Sequence, residues 1–112
     1  MNIQIFGTKK CNDTKKAERY FKERRIKFQF IDIKEKALSK GELTSVKNCV
    51  GLENLINKNS KDYNKLNMDK IRGAETREEL LLKNPTLYVT PIVRNGKVAT
   101  VGYEPEVWKS WE

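Results

Sequence analysis

The chain holds two cysteines, Cys11 and Cys49, and no histidine. Without imidazole, a Cys–His protease pair or a His-containing metal site cannot form within one chain, and two thiolates alone cannot fill a four-ligand zinc site. No spaced acidic cluster marks a magnesium or calcium site. What remains is the thiol itself. Cys11 stands in GTKKCNDTKKAERYF, with Lys9 and Lys10 before it and Lys15 and Lys16 after it. A thiolate is the nucleophilic form, and it is favoured at helix N-termini and beside cations. The competing reading is a small apolar plug, because free cysteine is commonly buried. Cys49, between Val46 and Val50, is expected to be such a buried structural residue. It could resolve Cys11 only if the fold brought the two Cα atoms within about 7 Å.

The flanking pattern shows what must position Cys11. Asn2-Ile3-Gln4-Ile5-Phe6 alternates as a strand does, and Gly7-Thr8 breaks it. From Asn12 to about Arg25, Ala17, Tyr20, Phe21 and Arg24 recur on one side of a helix, while Lys15, Lys16, Arg19, Lys22 and Glu23 fill the other. Residues 28–33 read as a second strand, so the first unit is β-α-β with parallel strands. Cys11 then falls at or just before the first helix's N-terminus.

Ser39-Lys40-Gly41-Glu42 has the spacing of a capping box, with Leu43, Val46 and Val50 facing inward and Leu52, Leu55 and Ile56 continuing the helix. The stretch 58–61 breaks it. Thr76-Arg77-Glu78-Glu79 offers a second capping box, and Asn84-Pro85 ends that helix. Past Thr90-Pro91, Asn95-Gly96 between apolar runs predicts an antiparallel hairpin with a type I′ turn. Pro105 suits the first turn of a closing helix, where Val107, Trp108 and Trp111 are expected to pack on the sheet. The order β-α-β, helices, β-β, α is that of a thioredoxin-like α/β fold with a mixed four-stranded sheet and a helical insertion over about residues 37–84. All 112 residues are expected to share one domain.

Composition agrees with a soluble globular protein, at 38% hydrophobic and 34% charged residues. No apolar run could cross a bilayer, and MNIQIF lacks the layout of a secretory signal, so a cytoplasmic location is expected. The net charge of +8 is uneven: residues 1–36 carry 11 Lys/Arg against 5 Asp/Glu, and the remainder 12 against 10. With no aromatic platform or zinc finger to read bases, direct nucleic-acid binding is not expected. The excess is a solvated basic face or a local potential that attracts anions and favours a thiolate.

The stretches FGTKKC, KKAERYFKERRIKFQFIDI, LINKNSKDYNKLN and TPIVRNGKVATVGY, with the spacing between them, resemble the arsenate reductase (ArsC)/Spx family over nearly the whole chain. The resemblance implies a working thiol at Cys11 and a cis proline at Pro91, against which an extended substrate aligns. It also implies arginines that hold an oxyanion, and these are missing. Lys16 stands five residues after Cys11, Asn57 and Thr90 occupy two further arginine positions, and none lies near Gly102-Tyr103. Arginine's planar fork binds oxyanions bidentately, so efficient arsenate reduction is not expected. Thr14 replaces the second cysteine of the C-x-x-C switch found in some Spx regulators.

Cys11-Asn12-Asp13-Thr14-Lys15-Lys16-Ala17 is most similar to a branch of single-cysteine, glutathione-dependent thiol reductases. In that reading Cys11 is catalytic, and Asn12, Asp13 and Thr14 shape its anion-binding turn. Lys9, Lys10 and Lys16 add positive potential, Thr90 and Pro91 align the substrate, and glutathione is a co-substrate rather than a bound cofactor. The alternative is an Spx-like transcriptional regulator that binds the RNA polymerase α subunit.

Overall fold

The computed structural model describes residues 1–112. Strand β1 (Ile3–Gly7) leads into helix α1 (Asn12–Glu23), which returns to strand β2 (Phe28–Asp32). β1 and β2 pair in parallel, Ile3 opposite Phe28 and Gly7 opposite Asp32. Strands β3 (Ile92–Asn95) and β4 (Val98–Val101) form the antiparallel hairpin, and β3 lies antiparallel to β1 with Ile3 opposite Asn95. The sheet order is β2-β1-β3-β4, a mixed four-stranded sheet. Helix α6 (Pro105–Lys109) closes the chain.

Alternation along the strands gives the sheet two apolar faces. Ile3, Ile5 and Val93 meet Ala17, Tyr20 and Phe21 of α1 and Trp108 of α6 on one side. The Trp108 indole is wholly buried, and its Nε1–H donates to Thr100 Oγ1 at 2.7 Å, so the ring is a packing residue with its polar atom satisfied. Phe6, Ile31 and Ile92 face the other way, onto the helices that intervene between β2 and β3. These are α2 (Lys40–Val50), α3 (Leu52–Leu55), α4 (Lys61–Lys65) and α5 (Ala74–Lys83).

The capping box at Ser39 is present: Glu42 N–H donates to Ser39 Oγ, and Ser39 N–H donates to Glu42 Oε1. Leu43 and Val46 are buried and Val50 is half-buried, as their spacing requires. Gly51, at φ +87°, separates α2 from α3, so residues 39–56 form two helices rather than one.

Four other expectations change. The second capping box does not form: α5 starts at Ala74 with Gly73 at its N-cap, which leaves Thr76 inside the first turn. The cause is Arg77, which is buried and donates through its guanidinium to the carbonyls of Met68 and Ile71 at 2.7 and 2.6 Å and to Glu53, anchoring the helix start from within. The hairpin loop is Gly96-Lys97, with positive φ at Gly96 alone, which suits a type II′ turn rather than I′. Val107 is 40% exposed, because the short α6 presents only Trp108 inward. Arg24 is exposed too, its guanidinium 3.8 Å from the Tyr20 ring centroid as a lid on the core rather than a member of it.

Candidate active site around Cys11

Cys11 is the N-cap residue of α1, with extended backbone (φ −79°, ψ 119°). Its own N–H donates to Thr8 O, and its carbonyl accepts from Lys15 N–H, so the turn is held on both sides. The side chain is half-buried, and its Sγ donates to the Thr90 carbonyl oxygen at 3.5 Å. The Thr90–Pro91 peptide bond is cis, as the resemblance implied. Gly102 N–H donates to Pro91 O at 2.8 Å and fixes this segment to the end of β4.

Burial raises the Cys11 pKa, but hydrogen bonds outweigh it and the thiol lies below its ordinary value. The donors are the Thr14 and Thr90 side chains and the backbone N–H groups of Thr14 and Asp13. Thr14 has a special part. Its hydroxyl is wholly buried and has no hydrogen-bond partner elsewhere in the fold. A thiolate is a stronger acceptor than a thiol, so deprotonation of the sulfur improves the environment of that donor.

Gly7 makes this placement possible. A Cβ at Gly7 would lie 2.5 Å from both Oγ1 and Cγ2 of Thr14, closer than real Cβ contacts come. The glycine therefore admits the first turn of α1 against the end of β1. From the sequence it reads only as a strand break; the signal for the closer role is its place four residues before the thiol.

Of the residues singled out from the sequence, the fold brings Cys11, Asp13, Thr14 and Thr90 together at the sulfur, with Pro91 buried beside Thr90. Asn12 is exposed in the first turn, and Lys9 and Lys10 are exposed ahead of it. The Lys16 ammonium stands 5.7 Å from the centroid of the Tyr103 ring, which packs edge-on against Trp108. Hydrogen-bond donors rather than lysines thus lower the thiol pKa. Tyr103 was not anticipated as a partner for Lys16, since 87 residues of chain separate them. Asn57 is engaged elsewhere: its N–H donates to Leu87 O, and its Oδ1 accepts from Asn59 N–H.

The expectation for Cys49 fails. It is exposed, in the last turn of α2, and its Sγ donates to Lys97 O at 2.8 Å. Lys97 lies in the hairpin loop beyond the Ile3–Asn95 pair, whereas Cys11 follows Gly7 at the opposite end of β1. Four residues of strand between those ends span about 13 Å, well beyond disulfide reach. The two thiols cannot pair in this fold.

Residues 6–111 match the ArsC family. The chain is 27% identical over 107 residues to a protein named global transcriptional regulator Spx from Streptococcus pyogenes, covering 93% of this chain and 80% of the relative. It is 25% identical over 111 residues to an uncharacterized Haemophilus influenzae protein, covering 96% of each. Among solved structures, a putative ArsC family related protein from Bacteroides fragilis superposes with a TM-score of 0.89 at 21% identity, over 100% of this chain and 98% of that one. An arsenate reductase from Vibrio cholerae gives 0.87 at 21% identity, over 98% and 97%. The glutaredoxin-like NrdH-redoxin from Escherichia coli gives 0.51 at 13% identity, over 100% and 96%. A thioredoxin-like sheet, the helices inserted between β2 and β3, and a family match over nearly the full length lead to one assignment: the chain belongs to the ArsC family.

Proposed function

We propose that this protein is a monothiol thiol–disulfide oxidoreductase that works through Cys11 with glutathione as co-substrate. The observation that carries the proposal is the buried Thr14 hydroxyl, which has no other partner in the fold and is among the donors that hold the Cys11 thiol below its ordinary pKa. The Cys11 thiolate attacks one sulfur of a disulfide; the new S–S bond forms as the old one breaks, and the other sulfur leaves with the electron pair as a thiolate that takes up a proton. A glutathione thiolate then attacks the sulfur that Cys11 has taken up, releasing the Cys11 thiolate and carrying that sulfur away as a disulfide with glutathione, which is oxidised glutathione when the sulfur taken up was itself glutathionyl. Asn12, Asp13 and Thr14 shape the anion-binding turn, and Thr90 and Pro91 form the wall along which the substrate lies. Lys9, Lys10 and Lys16 offer charge to glutathione's carboxylates.

Arsenate reduction fits poorly. Lys16, Asn57 and Thr90 stand where arginines would grip the oxyanion, and Asn57 is turned to its own loop. The test is the intact mass after mild treatment with oxidised glutathione, with the adduct mapped by peptide analysis. A single adduct on Cys11 that glutathione reverses is expected; an unmodified Cys11 in the folded protein would overturn the proposal.

The relatives named Spx favour a second reading, a regulator that binds the RNA polymerase α subunit. Capture of that subunit from purified components, undiminished in Cys11→Ser, would support it.

A further inference from the structure

One face of α1 carries a charged stripe that the chemistry at Cys11 does not use. Lys15, Arg19 and Lys22 follow one another along the helix, and Arg25 and Lys27 continue the line past its end; together they rim a groove of about 1060 Å³ between α1 and the start of β2. That volume exceeds the range of about 300–1,000 Å³ typical of small-molecule pockets. The rim holds five cations against two carboxylates, Glu18 and Glu23. None of the five is neutralised within the fold, since the three ion pairs use Arg24, Lys47 and Arg77. Ile26 and Phe28, both half-buried, give the groove an apolar floor. β2 is an outer strand of the sheet, so one of its backbone edges is open to an added extended segment.

Arg25 adds an independent sign. It adopts φ +58°, a left-handed conformation that helix ends ordinarily assign to glycine. Ile26 N–H donates to Phe21 O and Arg25 N–H to Lys22 O, which is the bonding of a Schellman turn. A side chain there is strained where glycine would not be. The chain keeps a guanidinium at that point, at the groove's far end.

We propose that this groove docks an acidic, extended polypeptide segment, so that the monothiol chemistry proposed above, on which this inference rests, is directed to protein cysteines with acidic residues on one side. The geometry sets the reach. Lys15 lies one turn from Cys11, about 6 Å at 1.5 Å per residue, and the stripe then runs about 15 Å to Arg25. An extended segment covers these lengths in about two and about five residues. Nucleic acid is disfavoured, because Glu18 and Glu23 interrupt the stripe and phosphodiesters cannot pair with a strand edge. In the reaction, Cys11 thiolate attacks the glutathionyl sulfur of a glutathionylated peptide cysteine; the peptide thiolate leaves and is protonated. A second glutathione frees Cys11 and departs as oxidised glutathione.

The probes are two synthetic peptides, each with one glutathionylated cysteine, carrying either five acidic residues or five serines from the second position after it. The acidic peptide is expected to be reduced about tenfold faster at low salt, with the advantage collapsing at high salt. The advantage should be lost in Lys22→Glu/Lys27→Glu, while both this variant and the native protein reduce the mixed disulfide of cysteine and glutathione at equal rates. Arg25→Gly is expected to raise Tm yet weaken binding of the reduced acidic peptide to the Cys11→Ser protein, followed by fluorescence anisotropy. Equal rates for the two peptides, or tighter anisotropy binding of a single-stranded oligonucleotide, would overturn the proposal. If no disulfide is reduced at all, the monothiol reading fails by itself, and anisotropy still decides the groove. Acidic-peptide binding lost in Lys22→Glu/Lys27→Glu upholds it, and no binding overturns it.

Discussion

Two cysteines occupy opposite ends of one small sheet, each donating to a backbone carbonyl oxygen, and they differ in what else surrounds the sulfur. Cys11 begins a helix, where unpaired N–H groups and two threonine hydroxyls converge on the sulfur. Cys49 ends a helix and donates to the Lys97 carbonyl oxygen at 2.8 Å, a contact that only the protonated thiol can make and a much shorter one than the 3.5 Å contact of Cys11 with Thr90 O. Cys49 is the more exposed of the two. Were access to decide reactivity, it would react first; if anion stabilisation decides, Cys11 will. Reactivity of a cysteine thus belongs to the backbone around it as much as to its accessibility.

The sharpest way to break the comparison is to remove each sulfur in turn. Cys11→Ser should reduce thiol exchange to the uncatalysed background, whereas Cys49→Ser should keep the rate within about twofold, measured by disulfide turnover with glutathione. A loss in Cys49→Ser comparable to that in Cys11→Ser would erase the distinction between the two ends.

A matched pair of glycines tests whether packing at the Cys11 end is as demanding as it looks. Gly7→Ala drives a methyl into Thr14 and should cost about 1–3 kcal/mol in denaturant unfolding. Gly41→Ala, in α2 with nothing within 4 Å of the new methyl, should gain about 0.5–1 kcal/mol. Equal effects would show that the site's backbone is looser than its contacts.

Thr14→Val separates packing from chemistry. Because the hydroxyl has no hydrogen-bond partner elsewhere in the fold, its loss should change stability by less than about 1 kcal/mol. Yet the midpoint of the pH–alkylation profile of Cys11 should move upward, since the largest of the hydrogen bonds that lower it comes from the Thr14 hydroxyl. A midpoint that stays in place would assign the lowering to Thr90 and to the backbone N–H groups of Asp13 and Thr14.

The smallest effect is a linkage. The folded-state pKa of Cys11 is depressed from the ordinary value of 9.0, so the folded state binds its proton less tightly than the unfolded chain does. That stabilisation is fully present above pH 9.0 and fades as pH falls through the lowered folded value. The stability difference between the native chain and Cys11→Ser should therefore grow with rising pH across that window. A difference independent of pH would contradict the lowered pKa.

Much of this was legible in the sequence where a local rule governs. Alternation marks β1 and β2, Ser39 and Glu42 write their own cap, and Gly7-Thr8 before a lysine-rich helix places Cys11 at an N-terminus. The failures come where a distant partner overrides the local rule. Thr76-x-x-Glu79 has a cap's spacing, but Arg77 reaches back to Met68 and Ile71 and starts the helix earlier. Cys49 sits among valines, yet the side of α2 that carries it meets the hairpin loop rather than the core. Lys16 looks like a charge for the thiol and instead lies over Tyr103. None of these partners lies within the few residues that a spacing rule can see.

Trp108 turns the fold into its own optical gauge. The indole is wholly buried, ringed by Tyr20, Phe21 and Tyr103, while Trp111, three residues on, is half-exposed. In Trp111→Phe the only emitting indole would be the one that touches Tyr103, and Tyr103 carries Lys16, five residues along the chain from Cys11. Displacement of that ring by anything that draws Lys16 away would be written directly into the emission of a tryptophan that never meets the solvent.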